Sequence, residues 1–201
     1  MKGIHRIPHT CRNCGNACPT LDGPVEDDAK ESVELLVWHR IPWLVIGLIG
    51  GVIASFMVSR FEAIISENIA LAFFLPLVVY MSDAVGTQAE TVYVRNLALR
   101  KVKFGTYFFK ELAVGITMGL FFGTALGYIA YTWIGSLDVA FTVGIALGTS
   151  MTISPVVALL MPTFLSRIHK DPALGAGPFT TIVQDLISVF IYFAIASYIL
   201  F

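Results

Sequence analysis

The sequence predicts an all-α membrane protein with five transmembrane helices per subunit, and three observations carry that expectation. Of the 201 residues, 56% are hydrophobic and only 13% are charged, with a mean hydropathy of +0.77, whereas a soluble domain carries about 25% charged residues. Five stretches reach the ~20 apolar residues that a membrane helix needs. They run over about 42–59, 69–94, 107–134, 139–165 and 174–200. The joints read SRFEAIISEN, RNLALRKVKFG, IGSLD and SRIHKDPALGAG, and they hold the turn formers and most of the remaining charge. A net charge of −1 offers no electrostatic basis for a nucleic-acid partner. The surroundings expected are membrane lipid, and the place is the cell (plasma) membrane.

Residues 1–40 differ in kind. They carry five basic and six acidic side chains out of 13 and 14 in the whole chain, and no apolar run follows the basic residues as a secretory signal would require. This segment is expected to be a partly disordered cytoplasmic tail ending in a short amphipathic stretch, KESVELLVWHR, with the membrane domain filling 41–201. All three cysteines lie in the tail, in CRNCGNACP. Cys11, Cys14 and Cys18 with one histidine, such as His9, would complete the four ligands of a structural Zn2+. The spacing also resembles part of an iron–sulfur motif, and the remaining alternative is unligated thiols in a flexible tail.

Orientation follows from the basic residues, which accumulate on the cytoplasmic side of membrane proteins. Beyond residue 40 there are eight: Arg95, Arg100, Lys101, Lys103 and Lys110 around the second joint, Arg167 and Lys170 in the fourth, and only Arg60 in the first. With five spans, the second and fourth joints share a side with the N-terminus. The N-terminus is therefore expected inside and Phe201 outside.

The third span carries Gly115, Gly119, Gly123 and Gly127, each four residues apart. Glycines at this spacing form one smooth helix face along which another helix can approach closely. Gly47 and Gly51, and Gly144 and Gly148, repeat the pattern in the first and fourth spans. A tight bundle is expected.

The chemistry points to two carboxylates. A charged side chain at the bilayer centre costs about 2.5 to 3.5 kcal/mol on insertion scales, yet Asp185 falls near the middle of the last span and Asp83 near the middle of the second. Pro178, Thr181, Asp185, Ser188 and Tyr192 recur at helical spacing, as do Asp83, Gly86 or Thr87, and Glu90. No Lys or Arg lies at mid-span to neutralise either aspartate; Arg95 and Lys110 sit at cytoplasmic ends. A mobile cation is the natural counter-charge, and oxygen-only surroundings suit hard ions such as Mg2+. A protonated, hydrogen-bonded aspartate is the simpler structural alternative.

Residues 40–201 resemble the membrane domain of MgtE-type magnesium channels and transporters. The resemblance rests on RIPWL, on LAFFLP leading into GTQAETVYVRNLAL, on KELAVG, and above all on DPALGAGPFTTIVQDLISVFIYFAIA. It implies magnesium transport through one pore between the two subunits of a homodimer, not an enzyme activity. It further implies that spans two and five line the pore, that Asp185 engages hydrated magnesium, and that Asp171 stands at the cytoplasmic entrance. Asp171 also suits an N-terminal cap before Pro172. Thr181, Ser188, Gly86, Ala84, Gln88 and Glu90 become pore-lining candidates.

The second span departs from the family's G-G-N-x-G-x-Q. It reads SDAVGTQ, so Gly86 and Gln88 remain, Ala84 replaces the Asn, and Asp83 replaces the preceding Gly. The cytosolic and CBS domains of bacterial relatives have no counterpart expected in a 40-residue tail. Two alternatives belong to other classes: a membrane subunit that recruits a partner through the cysteine tail, and an intramembrane aspartyl protease. The protease would need a G-x-G-D segment, which neither YMSDAVG nor IVQDLIS provides.

Overall fold

The computed structural model describes residues 32–98, 103–167 and 172–200, and the described residues are helices and their short connections, without strands. The elements are α1 (Val33–Ser59), α2 (Glu62–Glu67), α3 (Ala70–Ala98), α4 (Phe104–Ile134), α5 (Leu137–Arg167) and α6 (Pro172–Leu200). All but α2 are long and apolar enough to cross a membrane.

The first helix begins nine residues before the apolar run does. Ser32 caps it, its hydroxyl accepting from the Leu35 N–H at 3.4 Å, which satisfies one of the free donors of a helix start. KESVELLVWHR is thus largely the first turns of α1 rather than a separate amphipathic element, and the helix continues through Pro42. The first joint, read as a plain connection, contains α2, whose Ile64 is buried against the core. At the other hairpin, Gly135 adopts φ 77° and its N–H donates to the Tyr131 carbonyl at 2.8 Å. This left-handed cap needs glycine. The Ser136 hydroxyl then accepts from the Val139 N–H at 3.4 Å and opens α5, so α4 turns into α5 within two residues.

The central helix is α5, which packs against α3, α4 and α6; 56% of its apolar window is buried, against 6% for α1, which leans mainly on α6. The α4–α5 seam runs antiparallel and almost bare of side chains. Gly115 backs onto the Met151 and Thr152 carbonyls, Gly119 onto Gly148, Gly123 onto Gly144 and Gly127 onto Ala140, so α4 advances four residues as α5 retreats four. Pro155 lacks the N–H that would bond Met151 O, and this carbonyl is one of those that Gly115 covers. Between lipid tails there is little hydrophobic gain from helix association, so close backbone approach and hydrogen bonds hold the bundle.

On the other side of α5, Leu71, Phe74 and Val78 of α3 pack with Val143 and Leu147 of α5 and with Val189 and Phe193 of α6. Phe193 also stacks on Phe61, with ring centroids 4.6 Å apart. Tyr192 is fully buried and its hydroxyl donates to the Leu71 carbonyl at 2.7 Å. Tyr192→Phe should lower stability by about 0.5–1.5 kcal/mol, the net worth of one such bond, seen as a lower unfolding midpoint in detergent. Because the ring stays in place, transport per folded molecule should be unchanged.

Candidate functional site

Asp83 and Asp185 each occupy the fourteenth position of a 29-residue helix, α3 and α6 respectively. At ~1.5 Å per residue that is about 20 Å from either helix start, the middle of a bilayer-spanning helix. The two helices run antiparallel: Ser82 meets Ser188, Gly86 meets Gln184, and Glu90 stands beside Thr180.

Two polar faces of α6 follow from this packing. Thr180, Gln184 and Ser188, each four residues apart, are buried toward α3 and α5. The Ser188 hydroxyl donates to Ser82 Oγ at 2.9 Å, Gln184 Nε2 donates to the Ser154 carbonyl at 3.0 Å, and Ser154 Oγ donates to the Ser82 carbonyl at 2.6 Å. These bonds lock the three helices in register. One residue around the helix, Pro178, Thr181 and Asp185 line a cavity of about 410 Å³ whose opposite wall is α1, from Trp43 to Ala54. Glycines at 47, 50 and 51 keep that wall low, and Gly50 is in contact with Ile182.

Asp83 stands between the two faces. It lies beside Thr181 and within electrostatic reach of Asp185 and Glu90, while its Oδ1 is buried without a donor. Gly86, one turn on, must be small: a Cβ there would overlap the Gln184 amide and Ser154 Oγ. The interior of the five long helices, 41–59, 71–94, 111–134, 137–166 and 172–200, contains no Lys or Arg, so the carboxylates have no covalently attached counter-charge at their depth.

The structure thus brings Asp83, Thr181 and Asp185 together, with Glu90 nearby. It separates Ser188 from them, burying that hydroxyl in the α3 contact. Ala84 is half-buried and Gln88 is exposed on the subunit surface. Asp171, Cys11, Cys14, Cys18 and His9 lie outside the described residues. Among the described residues no three His, Cys, Asp or Glu side chains converge on a metal position. Ser82, Ser154, Thr180 and Gln184 were not singled out by sequence reasoning. Their signals were the four-residue spacing of 180, 184 and 188 and the adjacency of Ser82 and Gln184 to the two aspartates; Ser154 had none.

Uncompensated negative charge and oxygen surfaces of this kind suit a hydrated hard cation better than an anion or an apolar solute. Fold and site together define a multi-pass membrane protein with carboxylates at mid-membrane depth. Residues 75–195 match the family model of the MgtE divalent cation transporters. The chain is 33% identical over 180 residues to the magnesium transporter MgtE of Enterococcus faecalis, covering 88% of this chain and 40% of that one. Against the magnesium transporters MgtE of Bacillus subtilis and Thermus thermophilus it is 31% and 30% identical, over 80% and 85% of this chain and 36% and 39% of theirs. The chain belongs to the MgtE family. It spans about two-fifths of the length of these relatives.

Proposed function

We propose that this chain moves divalent cations across the membrane, magnesium foremost, along a path that passes Asp185 and Asp83. The observation that carries the reading is the placement of Asp185: a mid-membrane carboxylate that lines a cavity with Thr181, faces the field of Asp83, and has no Lys or Arg at its depth. Magnesium gives up its water reluctantly and prefers octahedral oxygen coordination, so Asp185 engages the ion through its waters. Support for a homodimer comes from the same geometry. Among the described residues no three such ligands converge, and a second copy would double Asp185 across the path. The basic residues at 95–110 and 167–170 support an N-terminus on the cytoplasmic side. Asp171 would then stand at the inner mouth. The cysteine tail keeps its readings, a zinc or iron–sulfur site or free thiols.

The direct test is magnesium uptake into liposomes that contain only this chain. Uptake above protein-free vesicles, saturating with magnesium, is the expected result; vesicles that stay impermeable would refute the reading. Asp83→Asn tests the finer assignment. Asp83 stands beside the position where the family has Asn, and its buried Oδ1 has no donor, so weakening its hold on the ion's water should change the ranking of Mg2+, Mn2+, Co2+ and Ca2+ by several-fold, about what one hydrogen bond contributes. Equal loss for every ion, with subunits dissociated, would make Asp83 a packing residue instead.

A further inference from the structure

We propose that Gln184 determines ion specificity: its Oε1 and the Oδ1 of Asp83 form a buried pair of donor-free oxygens at the α3–α5–α6 junction that grips the water carried by the ion. The proposal rests on the transport reading and adds a residue and a role to it.

Gln184 is 2% exposed. Its Nε2 is tied to the Ser154 carbonyl at 3.0 Å, and since a carbonyl only accepts, the amide orientation is fixed with Oε1 at the free end. That oxygen is buried and receives no hydrogen bond, and the same is true of Asp83 Oδ1. Both belong to the α3–α6 contact. The Gln184 amide rests on Gly86, and Gly86 is one helical turn from Asp83, a separation of about 5–6 Å between side-chain origins. Both oxygens can only accept while Asp83 is ionised, so neither can satisfy the other. A buried acceptor without a donor costs about 1–3 kcal/mol, and two on one helix contact suit a place where hydrogens arrive from a ligand.

The ligand class follows from the donor set. Both free atoms are oxygens that only accept, which suits a water molecule polarised by a cation. Asp83 connects this pair to the cavity, because it lies beside Thr181 and within electrostatic reach of Asp185, both of which line that cavity. A rigid amide that binds water favours an ion that keeps its hydration shell over one that sheds it. Magnesium keeps several waters; calcium readily takes six to eight direct oxygen ligands at flexible geometry.

The experiment compares magnesium and calcium flux in liposomes carrying the full chain, the Gln184→Met variant and the Ser154→Ala variant, at equal amounts of folded protein. Methionine keeps the length and volume of Gln184 and removes Oε1. It should lower the magnesium-to-calcium ratio by about fivefold, the weight of one hydrogen bond to the ion's water. Ser154→Ala deletes a buried hydrogen bond in the same seam but leaves the backbone carbonyl that holds Gln184. It should lower stability and leave the ratio at the wild-type value. Gln184→Met flux that falls equally for both ions, as for any packing defect, would overturn the assignment of Gln184. Wild-type vesicles that pass neither ion would overturn the transport reading, and this inference with it.

Discussion

Asp185→Asn is expected to lower magnesium flux at least about tenfold at sub-saturating ion while leaving the folded protein at least as stable as wild type. Asparagine keeps the shape of the side chain and one acceptor oxygen, so the cavity wall with Thr181 and Pro178 is preserved. What is lost is the charge. Two unit charges 4 Å apart interact by about 4 kcal/mol at an effective dielectric of 20, and 1.4 kcal/mol is already a factor of ten. Water between Asp185 and the ion reduces the first figure, and the double charge of the ion restores part of it. Stability moves the other way, because a neutral amide is cheaper to hold in the membrane than a carboxylate. Ser188→Ala supplies the contrast. Sequence spacing put Ser188 on the Asp185 stripe, but its hydroxyl is buried against Ser82, so its loss should cost about 1 kcal/mol of stability and little flux per folded molecule. Wild-type magnesium flux through Asp185→Asn would move the ion position to Asp83.

The contrast between Asp185 and Ser188 shows how far one sequence can be read. A carboxylate in an apolar span is conspicuous because its cost in lipid is large, and both aspartates were visible for that reason. Uncharged polar residues carry no such signal. Gln184 and Ser154 read as ordinary members of membrane helices until packing showed which of them touch. Residues three apart are offset by about 60° around a helix, so Asp185 lines the α1 cavity while Ser188, on the same nominal stripe, is buried against α3. Only the neighbouring helices decide where the stripe changes role. Helix ends were blurred for a related reason: hydropathy reports where lipid begins, whereas the hydrogen bonds of α1 continue back to Val33 through the polar residues Arg40 and Glu34. The glycines of α4 were legible as a smooth face, and those of α5 as another. That the two faces meet turn for turn required the fold.

That meeting makes the glycine seam the most fragile part of the bundle. A Cβ on Gly123 would lie 2.6 Å from the Gly144 carbonyl oxygen and 3.2 Å from the Gly148 Cα, and one on Gly119 would collide with the Gly148 carbonyl. The obstacles are backbone atoms of α5, which cannot rotate aside as a side chain end can, so the helices must separate. Separation forfeits dispersion contacts along four turns that lipid replaces only in part. Gly119→Ala and Gly123→Ala should each destabilise by about 1–3 kcal/mol, the range for overpacking. Gly123→Val, with two further methyl groups, should yield little folded protein. Gly105→Ala is the internal control: it lies on the same helix with nothing within 4 Å of its added Cβ. There alanine should be neutral or stabilising by up to about 1 kcal/mol, because it removes glycine's backbone entropy. Unfolding midpoints of the purified variants in detergent decide between these signs. Gly119→Ala and Gly105→Ala moving together would mean that α4 and α5 are not held by direct backbone contact, and α5 would then need another reason to be the central helix that carries Ser154 to the site.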